Sequence, residues 1–181
     1  MATEKQIALL RGINVGKAKR IAMADLRALV AELGFGDVKT LLNSGNVVYT
    51  ATDTEPEDAA ARIEEAIVAR MGISSRVTVL TAAEVAEAVD GNPFGEVDNP
   101  SRFLVTVLRN PADRALLEPL AKEDWGTDSL ALGRRVAYAW CREGVLESRL
   151  PDALNRLLGD RGTARNWATM LKLRALTEEP V

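Results

Sequence analysis

The stretch Val38-Lys-Thr-Leu-Leu-Asn-Ser-Gly-Asn-Val-Val-Tyr-Thr-Ala51 decides the fold of the first half of the chain. It contains two runs rich in strand-forming residues, 38–43 and 46–51, and the small residues Ser44 and Gly45 lie between them. Two strand-like runs with so short a separation are typical of a β-hairpin. The stretch therefore predicts two antiparallel strands in the middle of the first half.

The elements on either side of this hairpin alternate between strand and helix. Buried strands are predicted at 5–11 and 76–80, and apolar residues at helical spacing predict helices after Met23 and after the capping-box pair Thr54 and Glu57. The resulting order is β-α-β-β-α-β. This order makes a four-stranded antiparallel sheet with both helices on one face, which is the ferredoxin-like plan.

The second half repeats this order in part. Its pattern predicts a strand at 103–108, then a helix, then a hairpin within 130–141 and a leucine-rich helix at 150–158. A final helix is predicted from about Arg165 to Thr177. The second half therefore follows the order β-α-β-β-α-α, a variation on the first.

A segment rich in turn-forming residues, 91–101, separates the two halves. We therefore predict two domains, a ferredoxin-like N-terminal domain at 1–91 and a ferredoxin-like variant at 92–181. The fold class is α+β, with two ferredoxin-like α/β sandwich halves and antiparallel sheets. Neither half would bury a large core by itself, which favours an extensive interface between them.

Composition removes many kinds of chemistry. The 181 residues include no histidine and one cysteine, which excludes Ser-His-Asp and Cys-His catalysis, imidazole or thiolate metal sites and disulfide frameworks. We therefore expect no metal site, and the sequence pattern does not indicate a catalytic residue. The chain has no apolar run of signal or membrane-spanning length, so we expect a cytoplasmic protein that does not bind a membrane.

The clearest candidate site follows the first predicted strand. The net charge of the chain is −3, yet residues 1–22 hold five basic residues and one acidic residue. A turn with two glycines after a strand and before a helix has the topology of a phosphate-binding loop, although it matches neither the Walker A nor the dinucleotide pattern. The predicted anion ligands in this turn are Arg11, Gly12, Asn14, Gly16, Lys17 and Lys19.

Arg165 and Asn166 complete the predicted site. They lie just after Thr163, a suitable N-cap, and would project from the positive end of the final helix, where anions are stabilised. The alternative is that they form hydrogen bonds between the two domains. The hairpin residues 43–46 are left out, because Asn and Ser at tight turns usually satisfy their own backbone and the hairpin can lie far from Arg11.

Several strings of the sequence resemble one bacterial family. They are Ala8-Leu-Leu-Arg-Gly-Ile-Asn-Val-Gly16, Met23-x-x-Leu26, Leu33-Gly-Phe35, Val38-x-Thr40, Ser44-Gly-Asn-Val-Val48, Asn92-Pro-Phe94 and Thr163-x-Arg-Asn-Trp-x-Thr169. Together they are similar to the domain-of-unknown-function 1697 family. The resemblance implies a two-part α+β fold with ferredoxin-like halves and implies no activity. The family usually has a second Gly where this chain has Lys17, which strengthens the anion-binding interpretation. It often has Tyr-x-x-Ser-Gly where this chain has Leu41-Leu-Asn-Ser-Gly, which weakens any role taken from that tyrosine.

Three classes of function remain open from the sequence. The first is a binding protein for a phosphate-bearing ligand, either a nucleotide or a short nucleic acid, held by the basic N-terminal turn. The second is a histidine-free transferase or hydrolase that acts on such a ligand, for which the sequence identifies no base and no cofactor. The third is a protein–protein interaction module, which predicts an exposed apolar patch or a sheet-edge dimer.

Overall fold

The computed structural model describes residues 2–179, which contain eight β-strands and six α-helices. The chain divides into one unit of Met1–Val85 with Leu173–Val181 and a second unit of Ala86–Lys172. It returns from the second unit to the first within its last helix. The domain limits 1–91 and 92–181 stay a prediction.

The first unit has the predicted order of elements. They are β1 (Thr3–Leu10), α1 (Met23–Glu32), β2 (Gly36–Leu41), β3 (Asn46–Thr52), α2 (Pro56–Met71) and β4 (Val77–Thr81). Their four strands form one sheet in the order β2-β3-β1-β4, and every neighbouring pair is antiparallel. The long central strand β1 therefore pairs with β3 on one side and β4 on the other.

One face of this sheet packs against both helices. β1 contributes Ala8 and Leu10, α1 contributes Leu26 and Leu29, and all four side chains belong to one buried apolar cluster with residues of β3, α2 and β4. Alternate residues of β1 point to the opposite face, yet Ile7 and Leu9 are also fully buried. The central strand is therefore buried on both faces, as a continuous apolar run predicts.

The first half of the sequence has two capping-box patterns, Thr54 with Glu57 and Thr81 with Glu84, and only the second forms in the structure. Thr81 and Glu84 exchange hydrogen bonds at the start of α3 (Ala82–Asp90), because each side chain accepts from the other residue's backbone N–H at 3.1 Å. The box expected at Thr54 is wrong, since the Thr54 hydroxyl donates to the carbonyl of Thr52 instead. Pro56 occupies the first turn of α2 and moves the N-cap position to Glu55.

The second unit contains a second four-stranded antiparallel sheet. The remaining strands and α-helices of the chain are β5 (Phe103–Leu108), α4 (Arg114–Ala121), β6 (Ser129–Leu132), β7 (Val136–Trp140), α5 (Leu150–Leu158), β8 (Gly162–Asn166) and α6 (Trp167–Glu178), the last of which begins in the second unit and ends in the first. The strand order is β6-β7-β5-β8. A buried cluster that includes Leu108, Leu117, Ala137 and Leu154 joins the sheet to α4 and α5. The α+β class with antiparallel sheets is confirmed.

Strand β8 corrects the predicted order of the second half. The chain continues β-α-β-β-α-β before its last helix, whereas the sequence predicted β-α-β-β-α-α with a helix from about Arg165. The buried side chains of β8 include Thr163 and Arg165, which are polar, so the strand lacks the apolar alternation that marks a half-buried strand. Its identity comes from pairing with β5, where Val105 lies opposite Arg165.

None of the helices in residues 2–179 combines the length and the apolar character that crossing a membrane requires.

Both tyrosines of the chain are buried inside their units. Tyr49 is fully buried on β3 and donates a 3.0 Å hydrogen bond to Gln6, and Tyr138 on β7 donates a 2.6 Å hydrogen bond to the carbonyl of Ala88. Burial raises the pKa of Tyr49 above its ordinary value of 10. Burial, with a smaller contribution from Glu87, raises the pKa of Tyr138 to about 12.

We predict that neither tyrosine ionises near pH 10 while the protein is folded. Because the folded pKa is raised, the neutral phenols stabilise the fold fully below about pH 10, and this stabilisation is lost as the pH rises through about 12. Absorbance at 295 nm during an alkaline titration measures this, with circular dichroism recording the fold. In urea both groups should titrate near pH 10. A phenolate signal near pH 10 with unchanged circular dichroism would contradict the prediction.

Lys5 ties β1 to the end of α6. Its side chain is only 5% exposed, and its ammonium donates to the carbonyl oxygens of Leu176 at 3.2 Å and Glu179 at 2.6 Å. The last carbonyls of a helix have no partner within the helix, and a cation there also complements the helix dipole. The nearby ion pair of Lys39 with Glu179 joins β2 to the same segment.

We expect Lys5→Met to lower the free energy of unfolding by about 1–3 kcal/mol, because it leaves two helix-end carbonyls without their charged donor. Methionine keeps the apolar stem, so the change tests the ammonium and little else. Urea unfolding is the measurement. Lys17→Met is the matched control and should change stability by less than about 0.5 kcal/mol, since Lys17 is exposed. Equal stability of the two variants would rule out the capping role.

Candidate functional site

The candidate site is the loop of residues 11–22, which joins β1 to α1 and is called here the 11–22 loop. It leaves the sheet from a central strand, where Leu10 lies opposite Val77 of β4. The backbone N–H of Arg11 donates to the carbonyl of Arg76 at 3.0 Å, and the Ser75 hydroxyl donates to the carbonyl of Arg11 at 2.8 Å. The loop therefore starts from an ordered position on the sheet.

The hairpin between β2 and β3 lies at this same end of the sheet. The backbone N–H of Leu10 donates to the carbonyl of Gly45 at 2.9 Å. A Cβ atom on Gly45 would come within 2.8 Å of Ile13 Cδ1 and 2.9 Å of Leu10 Cβ, so glycine is required here by the close approach as well as by its φ of +89°. The sequence did not determine at which end of the sheet the hairpin lies. Because β1 pairs antiparallel with β3, the hairpin lies beside the 11–22 loop.

The side chain of Asn14 closes the 11–22 loop. Its Nδ2 donates to the carbonyls of Ile21 and Asn43, and its Oδ1 accepts from the backbone N–H of Ile21, each at 2.8 Å. The backbone N–H of Asn14 also donates to the carbonyl of Lys19 at 3.0 Å. The amide therefore joins both ends of the loop to the hairpin, a role that differs from the direct anion contact predicted for it.

The ends of the loop are buried and its middle is exposed. Ile13 and Ile21 are 2% and 5% exposed and belong to the core of the first unit, whereas Val15 is 75% exposed. Residues 15–20 are all exposed. Two buried isoleucines and the Asn14 amide thus form a fixed base for an exposed segment.

The exposed segment carries most of the predicted cations. Lys17 and Lys19 are exposed, and the structure gives neither side chain a hydrogen bond or an ion pair within residues 2–179. Arg20, which the predicted site did not include, donates to the carbonyl of Gly16 at 3.3 Å. Arg20 directly follows Lys19 in the sequence, and this position in the basic run could have identified it as a further site residue. Arg11 is half-buried at the start of the loop and has interactions of its own.

The backbone of the loop adopts left-handed conformations repeatedly. Gly12 and Gly16 have φ values of +70° and +67°, and the non-glycine residues Asn14 and Lys19 have values of 55° and 52°. Left-handed residues set among right-handed ones can turn successive N–H groups towards one point, which is how backbone nests bind anions. The two predicted glycines therefore occupy positions that need their conformational freedom.

Arg165 and Asn166 belong to the second unit, and their local structure differs from the prediction. Both lie on β8 and not at the start of a helix. Asn166 accepts hydrogen bonds from the backbone N–H and the hydroxyl of Thr169, each at 3.0 Å, so it occupies the capping position that Thr163 was expected to fill. Arg165 is 8% exposed, and its guanidinium donates to the carbonyl of Ala164 at 2.9 Å. Burial lowers its pKa to about 10, which leaves it protonated at neutral pH.

Fold and loop together define a class: an α+β protein with two four-stranded antiparallel sheets and a cationic loop after the first strand. The chain belongs to the family described as protein of unknown function (DUF1697), whose model matches residues 3–138. The predicted family is therefore confirmed. The fold is similar to that of the conserved bacterial protein SP0830 from Streptococcus pneumoniae, with 19% identity and a TM-score of 0.81 over 98% of this chain and 100% of that chain. No curated protein matches the chain.

We predict that Asn14→Gly lowers the free energy of unfolding by about 1–3 kcal/mol, because it removes three hydrogen bonds of the loop base. Glycine tolerates the positive φ of this position, so Asn14→Ala should cost about 1–2 kcal/mol more. Thermal unfolding of both variants measures the two effects separately. If the alanine variant is as stable as the unchanged protein, the loop does not depend on this amide.

Proposed function

We propose that this protein binds a phosphate-bearing ligand, a nucleotide or a short nucleic acid, through the 11–22 loop. The contacts are the side chains of Arg11, Lys17 and Lys19 and the backbone around Gly12 and Gly16. Asn14 contributes by holding the loop in shape. We also place the protein in the cytoplasm, where such ligands occur and where its single, buried and unpaired cysteine stays reduced.

The observation that carries this proposal is the pair of exposed lysines on a loop without acids. No acidic residue lies between Arg11 and Ala24 in the sequence. Within residues 2–179, Lys17 and Lys19 have no carboxylate to neutralise them, although the chain as a whole is acidic. Two unneutralised cations two residues apart in the chain raise the local potential and favour an anion over a neutral ligand.

The fixed base of the loop supports binding in a second way. A flexible loop would lose conformational freedom when it closes on an anion, and this cost weakens binding. Here the buried side chains Ile13 and Ile21 and the Asn14 amide already order the ends of the loop. A ligand would therefore have to order the exposed middle of the loop, residues 15–20, and not its ends.

Arg165 and Asn166 are omitted from the proposed site. The oxygen of Asn166 is used in capping α6, and the guanidinium of Arg165 is buried on β8. A binding role for the 11–22 loop does not depend on either of them. The transferase or hydrolase alternative needs a base, either a carboxylate or a lysine. The loop contains no carboxylate, and no contact among the described residues distinguishes Lys17 or Lys19 as that base.

Thermal unfolding in low salt tests the proposal, with ATP, inorganic phosphate and a short single-stranded RNA as separate probes. A ligand present at 100 times its dissociation constant adds about 2.7 kcal/mol, which raises the melting temperature by about 5–10 °C for a chain of this size. We expect at least one organic probe to do this and inorganic phosphate to do less. A flat response to all three probes would contradict the proposal.

The variant Lys17→Ala/Lys19→Ala should abolish the thermal shift. Lys122→Ala is the matched control, because Lys122 is an exposed lysine in the second unit, and it should leave the shift unchanged. If RNA is the ligand, the affinity should fall steeply with salt, and the double variant should reduce the slope by about 0.7 for each lost phosphate contact. Equal loss in the control variant would show that binding follows general charge and not this loop.

A further inference from the structure

An apolar groove lies on the second unit between α4 and α5, and it is unrelated to the 11–22 loop. Its volume is about 760 Å³, and its apolar lining includes Leu116, Pro119, Leu120, Trp125, Leu146 and Leu157. α4 and α5 pack against each other beneath it. All of these residues lie between 116 and 157, inside one unit.

The groove exposes large aliphatic side chains to water. Leu146 is 98% exposed, Leu157 is 43% exposed and Leu116 is 39% exposed. Single exposed hydrophobic residues are common on protein surfaces, but three beside one concavity form a patch of the kind that marks interaction sites. Covering such side chains gains free energy in proportion to the apolar area removed from water.

The floor of the groove is already ordered. The Trp125 indole donates a 2.8 Å hydrogen bond to the carbonyl of Leu120, and the Arg149 guanidinium lies 5.1 Å from the centre of the same ring. These contacts hold the large aromatic side chain in place. A partner would therefore meet a preformed surface and would not have to open one.

The charges around the groove select the partner. Glu123, Glu147 and Asp152 are exposed at its edges, and none of the three carboxylates has a hydrogen bond or an ion pair within the described residues. Arg149, which lies over Trp125, and Arg156 also line the groove, and both keep their positive charge. The lining therefore has a net charge of −1, and its three carboxylates have no ionic partner within residues 2–179, which favours a cationic partner over a second copy of the same edge.

The dimensions of the groove suit a helix. Its walls are α4, with eight residues, and α5, with nine, so each wall is about 12–14 Å long at a rise of 1.5 Å per residue. This length matches about two turns of an incoming helix. Apolar residues at i, i+4 and i+7 would fill the groove, and basic residues beside them would reach the three carboxylates.

We propose that the groove between α4 and α5 binds an amphipathic helix of a protein partner, with lysine or arginine flanking the apolar face of that helix. This is an interaction surface in the second unit, separate from the loop proposed to bind phosphate. It predicts a helix-in-groove mode of recognition, in which apolar anchors supply affinity and the rim carboxylates supply selectivity.

The test uses a fluorescein-labelled peptide of about eighteen residues, in which leucine and lysine are arranged to form an amphipathic helix. Fluorescence anisotropy with the full chain measures its affinity. Leu157→Ser should weaken binding by about tenfold or more. Leu171→Ser is the matched control, because Leu171 is 42% exposed on α6 and does not line the groove. It should change the affinity less than about twofold.

Two further measurements separate the groove from general attraction of a basic peptide to an acidic protein. Glu147→Gln/Asp152→Asn should weaken binding of the lysine peptide, and a leucine–glutamate peptide of the same pattern should bind at least about tenfold more weakly. Lys17→Ala/Lys19→Ala should bind the lysine peptide as the unchanged protein does. Peptide binding to the groove and phosphate binding to the 11–22 loop are therefore tested independently, and a negative result for the loop would not contradict the groove proposal.

Three results would overturn the proposal. The first is equal loss of affinity in Leu157→Ser and Leu171→Ser. The second is preference for the glutamate peptide. The third is a concentration-dependent dimer in sedimentation that Leu146→Ser abolishes, because it would assign the groove to a second copy of the chain. Leu146 and Leu157 are exposed, so their replacement by serine should leave the fold intact, which circular dichroism checks.

Discussion

The buried amide of Gln6 is the constraint on which the first unit depends. Strand β1 is buried on both faces, so its apolar run from Ile7 to Leu10 has no alternation that would distinguish one register from another. Gln6 is fully buried on that strand, and its polar atoms are all used: Nε2 donates to Glu4 and to the carbonyl of Thr54, and Oε1 accepts from Tyr49. A shifted strand would leave these groups buried without partners, at a cost of about 1–3 kcal/mol for each. The hydrogen bonds of Gln6 therefore favour one register of β1, which the apolar pattern of the strand does not specify.

The register of β1 determines which segments surround the 11–22 loop. With Leu9 opposite Asn46 and Leu10 opposite Val77, the end of β1 meets both the β2–β3 hairpin and the start of β4. Asn14 and Gly45 can then complete the base of the 11–22 loop, although they are far apart in the chain. The loop therefore has a fixed base beneath exposed cations, and this arrangement supports the proposed recognition of a charged group. The glycines and the left-handed residues form part of this support.

The two units present surfaces of opposite chemistry. The first offers cations on an exposed loop, whose attraction for a ligand weakens as salt is added. The second offers an apolar groove edged by carboxylates, whose attraction depends chiefly on covering side chains such as Leu146 and Leu157. A response to salt would therefore distinguish the two proposed kinds of binding.

Much of the fold follows from local pattern. Helical spacing after Met23, small residues at the hairpin and a reciprocal capping box at Thr81 each act over a few residues, so the sequence alone determined the element order of the first unit and the position of its cationic loop. Pro56 overrode the other capping box through its own fixed geometry. Only the tertiary structure decided that Gly162–Asn166 is a strand and that Asn14 closes the loop. These two features arise from hydrogen bonds between segments distant in the chain, and no local preference of the residues specifies which distant groups will become their partners.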